Sequence, residues 1–354
     1  MQQTGKRHGG QMNADWLEKL SQRAKRGRLR EAGAARAPRV GVVTDSAAAL
    51  PENWAASASV TELVRVVSMP VMIGDQIYGE GTDRMIGALA LALAQGSDVR
   101  TSRPSPGQFE AAYAELAAAG CSSVVSLHLS GELSGTVDAA RLAARSASIP
   151  VTVIDTATVA MGVGFAVAAA AETARDGGSA ESVAEAARVA AASASILFYV
   201  PSLEQLRRGG RISAAAGWFG TLFAVKPILV VRGGKIVPLE RVRSAPRALL
   251  RLTELVQQDI AARSGRVRVA VHHFGNEGEA ERLAGTITDA SPDIELTICS
   301  LPAVLAAHAG LGVLAVAVAG ETAAPQHSPG SPPAPGERPD TGSSSGPESG
   351  PRAG

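Results

Sequence analysis

Two hydroxyl-bearing loops have the residue types to hold a carboxylate. The first is Thr101-Ser102-Arg103-Pro104-Ser105-Pro106-Gly107, and the second is Ser130-Gly131-Glu132-Leu133-Ser134-Gly135-Thr136. Each precedes an Ala-rich stretch with helical character, and the second also follows an apolar, strand-like run. A helix N-terminus leaves backbone N–H groups unpaired and carries partial positive charge, so it attracts anions. Ser and Thr hydroxyls add neutral donors. Neither loop brings a base to activate a nucleophile, so the pair is suited to holding an anionic head group without transforming it.

The same residues have a plainer reading, because Ser and Thr before helices commonly serve as caps and turn formers. Other candidates are weaker. Gly131-Glu132-Leu133-Ser134-Gly135 is not the Gly-x-Ser-x-Gly of a nucleophile elbow. Gly162-Val163-Gly164 lacks a third glycine, since residue 167 is Val, and there is no Walker A loop. His272-His273 lacks a third ligand at metal spacing. Asp45 and Asp155 end strand-like runs and are expected to fix loops, and His128 is expected in the core. His308 sits in a Gly/Ala run, where it serves either a ligand or the local structure. Arg207, Arg208 and Arg211 cluster at a helix end, which cations favour, and Gly209-Gly210 holds a turn beside Arg211. The alternative to a binding protein is an acyl-transferring or hydrolytic enzyme with Ser134 as nucleophile and His308 as base.

The elements that must position these residues alternate. Arg39–Thr44 reads as a buried strand ending at Asp45-Ser46, and Val64–Met72 is a second apolar run. Helix is expected over Pro106–Ala119, with Ser105 as cap and Pro106 in the first turn. A strand over Ser123–Leu129, a helix over Thr136–Ala147, and a strand over Val151–Ile154 leading to a helix near Arg175 follow. This order predicts an α/β fold with a parallel sheet flanked by helices, where ligands bind beyond the carboxyl ends of the strands. From about Ser182 a smaller mixed α/β domain is expected. It has a helix, a strand over Ser195–Val200, a hairpin around Gly233-Gly234, a helix over Pro246–Ala262 and a strand over Arg266–His272. The domains expected are 39–181 and 182–320, between a basic, largely disordered extension over 1–38 and a disordered Pro/Gly/Ser-rich tail over 321–354.

Bulk composition narrows the function classes. The chain has 354 residues, 45% of them apolar but only 3% aromatic, so its core is built from Ala, Val, Leu and Ile. The net charge of +1 offers no argument for nucleic acid or an anionic membrane. Cys121 and Cys299 lie beside strand-like segments without metal-ligand spacing. Reduced core cysteines suit a cytoplasmic protein, and no secretory signal is visible. The longest apolar run, Ala303 to Ala319, contains His308 and two glycines. It is shorter than a membrane span and is expected to form a turn between buried elements. No cofactor is expected.

An ordered set of short motifs carries further information. Thr44-Asp45-Ser46 with Leu50-Pro51, Thr101-Ser102-x-Pro104-Ser105, Leu133-Ser134-Gly135-Thr136, Leu203…Gly209-Gly210-Arg211-Ile212-Ser213, Lys226-Pro227-Ile228-Leu229 and His308-x-Gly310-x-Gly312 follow one another. Together they resemble the DegV family of bacterial fatty-acid-binding proteins over residues 39–320. The resemblance implies a two-domain α/β fold with a fatty acid between the domains. It also implies a possible partner, the ATP-binding subunit of a bacterial fatty acid kinase, which phosphorylates the carried acid for phospholipid synthesis. The carboxylate contacts then fall on Thr101, Ser102 and Ser134, with His308 near the head. Arg211, and a second arginine at Arg241 or Arg243, are implied on a surface facing the kinase or the phosphate. Arg103 stands where the first motif commonly has glutamine, and Thr156 replaces a common serine after Asp155.

Overall fold

The computed structural model describes residues 39–51, 54, 62–78, 83–212 and 226–322. The basic extension and most of the Pro/Gly/Ser-rich tail lie outside the described residues. Three sheets organise the rest. Strands β1 (Arg39–Asp45), β2 (Val64–Val67), β6 (Cys121–His128) and β7 (Val151–Asp155) form a fully parallel sheet in the order β2-β1-β6-β7. Strands β3 (Val71–Ile73), β4 (Gln76–Tyr78) and β5 (Val99–Thr101) form a small antiparallel sheet, followed through β4 by helix α1 (Asp83–Ala94). The third sheet has the order β10-β9-β8-β13-β11-β12. Its strands are β8 (Ser195–Tyr199), β9 (Lys226–Arg232), β10 (Lys235–Val242), β11 (Arg263–His273), β12 (Glu295–Ser300) and β13 (Leu314–Thr322). Only the β11–β12 pair in it is parallel. The mixed α/β class expected from the alternation is the class observed.

The crossovers of the parallel sheet are α2 (Pro106–Ala118) and α3 (Thr136–Ala144). Ser105 caps α2, and its N–H donates to Gln108 Oε1 at 2.9 Å, one arm of a capping box. Two Ala-rich helices, α4 (Met161–Arg175) and α5 (Ala180–Ser193), pack on β1 and β6 of the first sheet and on β13 of the third. Small side chains make this possible. Eleven of the fifteen residues of α4 are buried, and a Cβ on Gly164 would sit 2.7 Å from the carbonyl oxygen of Ala48. The outer face of the third sheet is covered by α7 (Ala245–Ala261) and α8 (Glu277–Ala290). Two short helices remain, α6 (Glu204–Arg208) and α9 (Ala303–Ala309).

The strand β13 shows why the layers sort as they do. Leu314, Val316 and Val318 join the core under α7 and α8, whereas Ala315, Ala317 and Ala319 join the core that contains α4 and α5. Alternate residues of a strand point to opposite faces, so the sequence places bulk on one side and space on the other.

Two sequence expectations are corrected here. The run Ala303–Ala319 is not a turn: it forms α9 and most of β13, joined at Gly310 and Gly312 with φ +85° and +83°. Its Leu-Ala-Val-Ala-Val-Ala alternation is the period of a strand. The run Val64–Met72 is two strands in different sheets, broken at Ser68-Met69-Pro70. Pro70 has no N–H for a ladder, and the Met69 N–H donates instead to Ser46 Oγ at 3.0 Å. The final strand also runs to Thr322, past the expected start of the tail.

Candidate functional site

The polar residues converge at one end of an apolar cavity. Thr101 ends β5 and His308 sits in the last turn of α9, 207 residues away, with Thr101 Oγ1 2.8 Å from His308 Nε2. Leu133, Ser134 and Arg211 line the same cavity. Ser134 Oγ lies 2.8 Å from Thr136 Oγ1 at the start of α3. The Arg211 guanidinium donates from Nε to the Leu133 carbonyl at 3.2 Å and from Nη1 to the Gly209 carbonyl. The turn that aims Arg211 is set by Gly210 at φ +70°, a conformation open to glycine.

The remaining walls are hydrocarbon. Met69, Leu129 and Val159 come from the parallel-sheet side, and Ile196, Phe198, Ile236 and Ala315 from the third sheet. Leu301, Val304, Leu305, Ala309 and Val313 close the cavity from α9 and its flanks. Its empty space, with the open mouth and the solvent beside it included, is about 730 Å³. Arg211 is the one permanently charged side chain in this lining among the described residues.

Burial first, and the nearby charge of Arg211 second, push the His308 imidazole down to about 4. It is therefore neutral at neutral pH, with one ring nitrogen able to donate and the other to accept. Gly209 presses against it: a Cβ there would lie 2.3 Å from His308 Nδ1. The histidine is thus fixed from both sides, by Thr101 and by the α6 C-terminal turn.

The other sequence candidates are placed differently. Ser102 is exposed and its hydroxyl donates to the Arg103 carbonyl at 3.2 Å, so it does not line the cavity. Its backbone N–H ties the loop to the Pro70 carbonyl. Arg211 is partly buried against the cavity rather than standing free on the surface. Arg243 is exposed between β10 and α7 and does not line the cavity. Asp155 fixes loops as expected, accepting from the Gly131 and Ala157 amides at 3.1 and 2.9 Å. His272 is fully buried; its Nε2 accepts from the Met161 amide at 3.3 Å, and burial pushes it down to about 4.

Sequence reasoning missed one feature beneath the cavity. His128 Nδ1 lies 2.9 Å from Asp45 Oδ2, its Nε2 lies 2.7 Å from Ser126 Oγ, and Ser126 Oγ lies 3.0 Å from the Tyr113 hydroxyl. All four side chains are buried. Asp45 also accepts from the Leu129 and Ala47 amides at 3.2 and 3.0 Å, and the next residue, Ser46, holds Met69. Leu129 and Met69 are both cavity walls, so this network shapes the cavity without reaching it. The signal for it was topological: β1 and β6 are adjacent parallel strands, with Thr44 opposite Leu127, so their last residues, Asp45 and His128, must meet.

With this geometry in view, comparison with known proteins is informative. The model of the DegV family, a family of uncharacterised proteins by its description, matches residues 39–321. The chain belongs to the DegV family. A DegV domain-containing protein of Streptomyces coelicolor is 45% identical over 280 residues, covering 79% of this chain and 98% of the relative. One from Deinococcus radiodurans is 35% identical over the same length, with the same coverage. A solved DegV family structure from Thermus thermophilus, described by its fatty acid binding, superposes with a TM-score of 0.73 at 31% identity. It covers 80% of this chain and 99% of its own. Bacillus subtilis DegV, described as a fatty acid binding protein, superposes with a TM-score of 0.72 at 28% identity, covering 80% and 100%. No helix among the described residues is long and apolar enough to cross a membrane.

Proposed function

We propose that this DegV family member binds one long-chain fatty acid in the cavity, with the alkyl chain along the aliphatic walls and the carboxylate among Thr101, Ser134, His308 and Arg211. The observation that carries the reading is a hydrocarbon-lined cavity with a single polar end. Family members at 31% and 28% identity with the same fold are described as fatty acid binding, which supports it. The energetics show what the site must supply. A C16 chain buries about 14 methylenes at roughly 0.8 kcal/mol each, on the order of 11 kcal/mol gross. Association opposes this with an estimated 4–15 kcal/mol, so a preformed cavity matters. The carboxylate leaves water only if it is hydrogen-bonded, and hydroxyls with one guanidinium supply that.

The protein is further proposed to be a cytoplasmic carrier with neither cofactor nor turnover of its own. It would present its acid to the ATP-binding subunit of a fatty acid kinase, with Arg211 at the head group and Arg243 on the exposed surface. The enzyme reading fits less well. Ser134 bonds Thr136, and the His308 Nε2 bond goes to Thr101, so Ser134 lacks the hydrogen-bonded base that activation requires.

Mass spectrometry of the purified chain under native and denaturing conditions tests the reading. A fatty acid present natively and released on denaturation is expected, and the delipidated protein should rebind palmitate stoichiometrically. A covalent acyl adduct on Ser134 would reverse the assignment in favour of the enzyme. Presentation is tested by adding a kinase ATP-binding subunit with ATP and following acyl phosphate formation.

A further inference from the structure

Arg103 has no part in the site as built so far, yet its guanidinium lies against the residue next to Ser134. A Cβ on Gly135 would fall 2.5 Å from Arg103 Nη1 and 3.2 Å from Cδ, so the arginine lies over the bare Cα of this glycine. On the other side of Ser134, Arg211 Nε donates to the Leu133 carbonyl. The two guanidinium groups therefore contact residues 133 and 135, whose Cα atoms are at most about 7.6 Å apart, two steps of 3.8 Å. They meet the two chain neighbours of Ser134, the one serine in the cavity lining, and of the two only Arg211 lines the cavity itself.

The two arginines differ in how their donors are used. Arg211 is partly buried and gives hydrogen bonds to two backbone carbonyls. Arg103 is exposed, and among the described residues no hydrogen bond or ion pair engages its guanidinium. An exposed arginine over Gly135, with its five donors unengaged next to a polar cavity end, is placed to meet an anion. A single carboxylate is matched by one guanidinium and hydroxyls. A second cation at the same end adds most to a head group of higher charge, with more acceptor oxygens than a carboxylate has.

We propose that Arg103 is a specificity-determining residue that, with Arg211, adapts the polar end of the cavity to a doubly charged alkyl ligand, a phosphate or phosphonate dianion on a long chain. This rests on the fatty acid reading, because the same cavity must hold the alkyl chain. Charge sets the expected pattern. At roughly 7 Å an exposed cation, screened as in bulk water, changes monoanion affinity about 3-fold, and Coulomb energy doubles for a dianion. The dianion effect is thus the square of the monoanion effect, about 10-fold.

The test measures the affinities of palmitate and hexadecylphosphonate for the full, delipidated chain, above the second ionisation of the phosphonate. Wild type, Arg103→Gln and Arg103→Lys are compared, with inorganic phosphate as a competitor. Expected are a loss of about 10-fold for the phosphonate and about 3-fold for palmitate in Arg103→Gln, most of it restored in Arg103→Lys, and no competition by inorganic phosphate. Unchanged or equal losses for the two ligands would overturn the assignment while leaving fatty acid binding intact. Displacement of the phosphonate by inorganic phosphate at similar concentration would overturn it in favour of a free-anion site. If wild type bound neither alkyl ligand, the fatty acid reading would fail together with the role of Arg103.

Discussion

Replacing His308 by Gln should remove part of the acid sensitivity of this fold. In the folded chain the imidazole is pushed from 6.5 to about 4, first by burial and then by Arg211. In the unfolded chain it takes its proton near 6.5. Between those values the unfolded state binds more protons, so stability rises with pH across the window. The contribution is fully present above about pH 6.5 and is lost as pH falls towards 4. A displacement from 6.5 to about 4 corresponds to about 3 kcal/mol at full loss, a sizeable share of the 5–15 kcal/mol typical of a domain. Gln at this position can still meet Thr101 Oγ1 but does not titrate. Urea unfolding at pH 7.5, 6, 5 and 4.5 should therefore show wild type losing about 2–3 kcal/mol more than the variant over that range. His272, pushed down to about 4 by burial, remains in both proteins and largely cancels in the difference. Parallel stability curves for the two proteins would refute the argument, because His308 would then titrate alike in both states.

Three further outcomes are expected. Gly209→Ala, at a backbone of φ −73° that alanine tolerates, should displace the His308 ring, which lies 2.3 Å from the new Cβ. Calorimetry should then show palmitate affinity falling about 10-fold or more, the equivalent of one lost hydrogen bond to a charged group, while circular dichroism stays native. Ser134→Ala should weaken palmitate retention by about 1.5–3 kcal/mol with the melting temperature little changed; equal lipid content after matched delipidation would remove Ser134 from the head-group site. Asp45→Ala deletes the acceptor of His128, Leu129 and Ala47. Loss of such a buried network member should cost about 3–5 kcal/mol, read by denaturant midpoint, and a cost under about 1 kcal/mol would show that these donors find other partners.

Much of the fold could be read from local pattern. Strand and helix succession over residues 106–175 follows from period and capping: Ser105-Pro106 starts α2, and apolar runs mark β6 and β7. The family was legible because most of its motifs sit at strand ends, turns and helix starts, where specific residues are needed whatever surrounds them; Lys226-Pro227-Ile228-Leu229, inside β9, is the exception. Pattern misled where one apolar run served two elements. Val64–Met72 crosses from one sheet to another at Met69-Pro70, and Ala303–Ala319 combines α9 with β13. In both, the break falls at a local signal inside the run, Ser68-Met69-Pro70 in one and Gly310 with Gly312 in the other, while which sheet takes up the strand that follows is decided by tertiary packing.

The sequence by itself determined which residues could meet an anion, Thr101, Ser134, His308 and Arg211 among them, and determined an aliphatic core rich in small residues. Only the tertiary structure decided that they share one cavity end. Thr101 and His308 are 207 positions apart, and their meeting depends on how α9 packs on β5. Tertiary packing likewise left Ser102 facing solvent, drew Arg211 in against Leu133, laid Arg103 over Gly135 and joined Asp45 to His128. Periodicity and propensity report on neighbours along the chain. Which hydroxyl faces a cavity, and which cation stands beside it, depends on contacts between elements far apart in sequence, and these are fixed only when the sheets and helices pack.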